Sequence, residues 1–166
     1  MASPQLENGY AMSDQEPSLT ELAAQGRSLI PCQLNKKPCL KTWKEYQTER
    51  PTLEQLKAWN SQHRPAGWAM ITGLVSRVIT LDFDGETAER SMRLCGLEPH
   101  RRSGGGGFHV DFEWPGFRVN TLNSKSKEEL GKRYPGIDIR GDGGYVVIKG
   151  RNENGPYQNY RNASSL

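Results

Sequence analysis

The sequence predicts a mixed α and β protein, and three observations carry that prediction. Apolar and polar residues alternate at period two in three short runs, 77–84, 108–114 and 136–140, which is the pattern of strands with one buried face. Two capping-box sequences, Ser18-Leu19-Thr20-Glu21 and Thr52-Leu53-Glu54-Gln55, open stretches whose apolar residues recur at helical spacing. The 18 Gly and 10 Pro among 166 residues make the chain rich in loops between these elements.

Length and composition narrow the classes further. A chain of 166 residues suffices for one domain with a real core, or for two small lobes in contact. No apolar run approaches the about 18 residues of a membrane span, and no basic start followed by an apolar stretch resembles a signal peptide. A soluble protein working in the cytoplasm is expected, with no membrane partner. Cys32, Cys39 and Cys95 lack CxxC spacing and fit reduced, mostly buried thiols. The net charge of +3 permits nucleic-acid binding without demanding it. Basic clusters at Lys36, Lys37, Lys41 and Lys44, at Arg101 and Arg102, and at Lys125, Lys127, Lys132 and Arg133 fit either a phosphate-binding surface or a solvated face.

Taken in order, residues 1–17 are polar and aperiodic and are expected to form a disordered or loosely docked leader. Ser18 caps a short amphipathic helix that Gly26 stops. Residues 29–33 read as a strand at a sheet edge, because Pro31 lacks the N–H that a central strand needs. Asn35-Lys36-Lys37-Pro38 is a basic turn, and Trp43 with Tyr46 marks a helical turn. Thr52 opens a second helix with Leu53, Leu56 and Trp59 as its apolar stripe, and Trp43 and Trp59 read as core. A strand at 67–72 precedes the strand at 77–84, and residues 86–94 suggest a surface helix ending before Gly96. Residues 122–133 read as a loop and short helix. The tight turn Gly141-Asp142-Gly143-Gly144 predicts a hairpin that pairs 145–148 back onto 137–140. A last short strand follows at 157–160, and residues 161–166 form a tail.

The strand at 77–84 carries the chemistry. Ile79, Leu81 and Phe83 share its apolar face, while Val78, Thr80, Asp82 and Asp84 share the other. Asp82 and Asp84 thus project side by side, with α-carbons about 6.5 to 7 Å apart. Such a pair suits two divalent cations, and it equally suits an acidic strand end before the turn dipeptide Asp84-Gly85. In the run 108–114, His109 falls on the polar face; in 136–140, Asp138 and Arg140 do. If these strands share a sheet, Asp82, Asp84, His109, Asp138 and Arg140 converge, an inventory suited to phosphoryl transfer. Ahead of His109, the glycines Gly104, Gly105, Gly106 and Gly107 let backbone N–H groups approach an anion, or simply form a flexible hairpin loop. The flanking Arg101 and Arg102 favour phosphate.

These motifs, in this order, resemble the N-terminal Prim-Pol domain of bifunctional DNA primase/polymerases, of the archaeo-eukaryotic primase superfamily. The resemblance spans roughly 18–160. It rests on Lys36-x-Pro38 followed by Trp43, the Thr72-Gly73 turn, the Asp82-x-Asp84 pair, the glycine-rich stretch ending in His109, and the run from Gly136 through Asp138, Arg140 and Gly144 to Val147. Two positions depart from the family pattern. Gly105 stands where the family has Ser, with Ser103 two places further off, and Lys149-Gly150-Arg151 replaces a proline-rich turn.

The resemblance implies an α+β fold: an RRM-like antiparallel sheet carrying the acids, packed with and interleaved with a small N-terminal αβ lobe. It implies template-dependent nucleotidyl transfer from a (d)NTP to a primer 3′-hydroxyl in DNA replication, in a prokaryotic, plasmid or phage setting. Asp82, Asp84 and Asp138 would hold two Mg²⁺ or Mn²⁺ ions. His109, Gly105, Gly106, Gly107, Arg102 and Arg140 would hold the triphosphate, and Lys36 and Lys37 the single-stranded template. A helicase domain or partner protein is also implied, which would make the chain an excised or minimal form.

Two rival readings remain in view. A metal-dependent nuclease could use the same acids, although a triphosphate site argues against it and the dispersed His63, His100 and His109 exclude a His-x-His centre. A non-catalytic nucleic-acid-binding module would want aromatics on the sheet face, where this chain has acids that repel phosphates.

Overall fold

The computed structural model describes residues 6–7, 9–13 and 15–160. The expected tail, 161–166, lies outside them. Strands β1 (Leu6–Glu7) and β2 (Tyr10–Ala11) are followed by helix α1 (Leu19–Ala24), β3 (Ser28–Cys32), α2 (Leu53–His63), β4 (Gly67–Ile71) and β5 (Val78–Phe83). Then come α3 (Ala88–Leu94), β6 (Arg101–Arg102), β7 (Phe108–Glu113), β8 (Leu122–Asn123), α4 (Glu128–Arg133), β9 (Ile137–Arg140), β10 (Tyr145–Asn152), β11 (Gly155–Pro156) and β12 (Gln158–Asn159). The fold is α+β, with two main antiparallel sheets. One has strand order β11-β10-β4-β3, the other β12-β6-β7-β5-β9-β8.

Local sequence explains the helices. Ser18 Oγ accepts from the Glu21 N–H while the Glu21 carboxylate accepts from the Ser18 N–H, closing the capping box of α1. Thr52 Oγ1 accepts from the Gln55 N–H and starts α2, and Leu56 and Trp59 bury its apolar stripe. β3 lies at the edge of its sheet, as Pro31 requires. Around the four-stranded sheet, Leu29, Ile30, Leu56, Met70, Ile71 and Val147 build one core; Trp59 lies within it and Trp43 packs against it. Around the six-stranded sheet, Phe83, Met92, Phe108, Val110 and Ile137 build a second.

Two expectations are corrected. The hairpin between β9 and β10 does not form: β9 pairs with β5 and β8, whereas β10 crosses to the other sheet and pairs with β4 and β11. Thr72 secures that crossing, donating its Oγ1–H to the Gly141 carbonyl at 2.6 Å and its N–H to the Gly144 carbonyl at 2.9 Å. Apolar demand overrides the turn signal, since Val146, Val147 and Ile148 bury themselves in the first core. Helix α3 is the expected surface helix ending before Gly96, with Arg90, Arg93 and Leu94 exposed and Met92 wholly buried against the second core. Within the expected leader, Met12 is buried, bridges to Tyr160 and joins that core, and the Tyr10 ring lies 5.5 Å from that of Tyr160. Glu16 pairs with Lys149 and accepts from the Gly150 N–H.

Candidate active site

The site is built on three neighbouring strands. β5 lies between β7 and β9, and the register sets Asp82 directly opposite His109 on one side and opposite Asp138 on the other. Residues directly opposite in an antiparallel ladder point to the same face, so these three side chains stand in a row. Thr80, two residues earlier on that face, is opposite Asp111 and Arg140. The convergence expected from period-two alternation is therefore present.

Two carboxylates opposite one another repel, and Arg140 offsets that repulsion. Its Nη2 lies 3.0 Å from Asp138 Oδ2 and 3.6 Å from Asp82 Oδ2. Arg140 Nε is buried with no hydrogen-bond partner among the described residues. Asp138 also accepts from Asn123 Nδ2 at 3.0 Å and from the Ser124 N–H at 3.2 Å. On the other flank, His109 Nε2 is 3.5 Å from Asp82 Oδ1. Burial pushes the His109 imidazole below its ordinary pKa, outweighing the pull of the Asp82 charge in the opposite direction. It is held neutral at physiological pH.

Asp84 follows the end of β5 and is exposed, its Oδ1 accepting from the Gly85 N–H at 3.0 Å. Two glycines frame it closely. A Cβ on Gly107 would lie 2.4 Å from the Phe83 carbonyl oxygen, and one on Gly136, whose φ is +78°, would lie 2.1 Å from the Asp84 carbonyl oxygen. Only glycine lets the flanking strands close on the acidic strand end at these points.

Asp82 and His109 of this row line a cavity of about 440 Å³ between the two sheets, while Asp138 lies outside its lining, held by Arg140, Asn123 and the Ser124 N–H. Asp82, Asp84, His109 and Arg140 line it from the six-stranded sheet, and Tyr145 and Val147 from the four-stranded sheet. Lys36, which adopts φ +67°, and Trp43 line it from the loop after β3. Gly105 faces the cavity, as do Ser103 and Asn154. Tyr157 closes the wall beside His109, with ring centroids 5.9 Å apart, and its hydroxyl accepts from Asn152 Nδ2 at 3.1 Å.

Other expected site residues fall elsewhere. Arg102 is opposite Phe108 in the ladder, hence on the face away from His109, with its guanidinium towards Gly106. Lys37 is exposed and outside the cavity lining. The Gly106 N–H donates to the Ser103 carbonyl and the Gly107 N–H to Ser103 Oγ at 3.0 Å, so Ser103 organises the loop and takes two donors expected to face an anion. Arg101 is buried in a bidentate pair with Asp111, at 2.7 and 2.8 Å, and does not face the cavity as a phosphate ligand. Tyr157, Asn152 and Asn123 were not legible as site residues, because each sits in a turn or short strand with no chemical motif of its own.

Asp82, Asp84 and Asp138 offer hard oxygen donors, the chemistry that Mg²⁺ and Mn²⁺ favour. Among the described residues, no group of three or more His, Cys, Asp or Glu side chains is gathered closely enough to hold a metal ion. Asp82 and Asp138 are instead drawn to Arg140. The chemistry of these oxygens suits divalent cations, while their placement, with Arg140 between two of them, does not gather all three around one point.

The α+β fold thus sets Asp82, Asp84 and the buried His109 along one inter-sheet cleft. The model of the bifunctional DNA primase/polymerase N-terminal family, Prim-Pol, matches residues 19–165; the chain belongs to that family, which implies a nucleotidyltransferase-type enzyme. Among curated proteins, none matches it. Among the described residues, no helix is long and apolar enough to cross a membrane.

Proposed function

We propose that this chain is a template-dependent DNA primase/polymerase that adds nucleotides from (d)NTPs to a primer 3′-hydroxyl. The observation that carries this reading is the cross-strand row His109, Asp82, Asp138, of which His109 and Asp82 line the cleft. In the reaction the 3′-oxygen bonds to the α-phosphorus, the bond from that phosphorus to the β-phosphate oxygen breaks, and pyrophosphate departs.

Asp82, Asp84 and Asp138 would hold two Mg²⁺ or Mn²⁺ ions. What such ions supply when bound is acidity for the attacking hydroxyl and positive charge for the departing pyrophosphate. The chain's own groups do the rest. Neutral His109 presents an N–H donor to a phosphate oxygen, and the Nε–H of Arg140, which has no partner among the described residues, offers a second. Lys36, exposed at the cleft rim, adds charge for the triphosphate or template, with Lys37 beside it on the template side. Aromatic Trp43, Tyr145 and Tyr157 give the wall apolar surface for a base or sugar. Binding to single-stranded template should weaken steeply with salt. A helicase, in the same polypeptide or a separate one, fits such an enzyme as a partner.

The test is extension of a labelled primer on single-stranded DNA template with dNTPs and Mg²⁺ or Mn²⁺. Extension by the wild type, reduced at least about a hundredfold in Asp82→Ala and Asp138→Ala, is the expected result. Omitting the primer then reports priming. Shortening of the primer would replace this reading with a nuclease, and absence of nucleotide binding would overturn the site.

A further inference from the structure

We propose that Arg101 is a positioning residue for His109, holding its imidazole in the tautomer whose Nε2–H points into the cleft. The inference rests on reading that cleft as a nucleotide site, and it concerns groups that lie beneath the cavity rather than in it.

Arg101 and His109 are directly opposite in the β6–β7 ladder, so their side chains share a face. Asp111, two residues beyond His109, anchors the guanidinium through both Nη atoms. Thr80 fixes that carboxylate in turn, donating from Oγ1 to Asp111 Oδ1 at 2.7 Å. With each Nη donating one N–H to Asp111, the Nε–H is directed at His109 Nδ1 at 3.5 Å. Guanidinium has no acceptor, so an imidazole nitrogen facing it must present its lone pair. The proton therefore resides on Nε2, the atom turned towards Asp82 and the cavity.

Stability alone does not account for this arrangement. Asp111, Thr80 and Arg101 are all at most 8% exposed, and an apolar trio of similar volume would fill the same space without desolvating two charges. What an apolar trio cannot do is discriminate between the two nitrogens of a neighbouring imidazole. A neighbour that fixes a histidine tautomer through one ring nitrogen is a recurrent device where the other nitrogen has work to do.

The test uses the full chain labelled with ¹⁵N-histidine, free of nucleotide and metal, at one fixed pH where the imidazole is neutral. Two- and three-bond ¹H–¹⁵N correlations distinguish the tautomers, and His109→Gln assigns the His109 signals among the three histidines. Wild type should show His109 as the Nε2–H form. Removing Arg101 alone would strand a buried Asp111, so the informative variant is Arg101→Leu/Asp111→Leu, which replaces the ion pair with an apolar one. Arg101→Lys keeps the charge opposite Asp111 but loses the directed Nε–H.

Both variants should acquire a substantial Nδ1–H population. Each should also bind an α,β-methylene dATP analogue about tenfold more weakly, the worth of one misdirected hydrogen bond. A folded double variant with the wild-type tautomer overturns the proposal, as does a wild type with its proton on Nδ1. If the wild type binds no analogue at all, the nucleotide-site reading fails by itself, and the tautomer spectra still decide the role of Arg101.

Discussion

Asp111 shows how one charge can be both buried and ionised. Burial by itself would raise its pKa, but the charge of Arg101 and hydrogen bonds from Arg101 and Thr80 outweigh that and hold it at about 2. An unfolded chain therefore binds more protons than the folded one between the ordinary value of 3.8 and about 2. Stability contributed by this group is complete above pH 3.8 and is lost as the pH falls through that window. The loss should amount to about 2 kcal/mol. Urea denaturation of wild type and of Arg101→Leu/Asp111→Leu at pH 6 and at the acid end reads it as the difference between the two slopes. Equal acid sensitivity in both would show that Asp111 is not ionised in its buried site. Cys32 presents the opposite case, since burial pushes its thiol up to about 12 and leaves it unreactive.

At the scale of elements, the site depends on how closely β7 and β9 approach the end of β5. Gly136 allows that approach, and Gly136→Ala forces both a positive φ on an L-residue and a clash with the Asp84 carbonyl. That substitution should cost at least about 1 kcal/mol and displace Asp84. Gly105→Ala is its control. Gly105 is exposed, has no positive φ, and its nearest atom to a Cβ is Asn154 Nδ2 at 3.6 Å. Its stability should stay within about 0.5 kcal/mol of wild type. Thermal melts of the two variants make the comparison, and an equal loss in both would show that the glycine loop and the β9 entry are not distinguished by packing. Asp142 has a comparable structural task near the β9–β10 crossing. It accepts from the Leu74 N–H, the Val119 N–H and Trp114 Nε1, tying three segments together.

For the whole molecule, the first core reaches the cleft through Val146, Val147 and Tyr157, whereas no described residue of the second core lines it; β10 contributes to the first and β9 to the second. The chain ahead of α1 adds to the second core through Met12. Met12→Ala should therefore destabilise the protein by about 2 kcal/mol, as loss of a buried methionine does. A chemical-denaturation midpoint unchanged by that substitution would return residues 9–13 to the status of a loose leader. The family match begins at residue 19, so Met12 lies ahead of the matched region while its partner Tyr160 lies within it.

Period-two alternation is a local property, and it suffices to set Asp82, His109, Asp138 and Arg140 on polar strand faces. The capping boxes at Ser18 and Thr52 are equally local, since donor and acceptor lie three residues apart. Which strands become neighbours is not local. Only the folded chain decides that β5 lies between β7 and β9, and that β10 leaves its apparent hairpin partner to bury Val146 and Val147 in another sheet. The Arg101–Asp111 pair and the docking of Met12 are tertiary for the same reason. Each joins segments whose residue types fit several environments, and the environment that wins is the one where charge is compensated and apolar surface is covered. The sequence by itself determined the chemistry available to the site; tertiary structure decided which groups face the cleft and which lie behind it to support them.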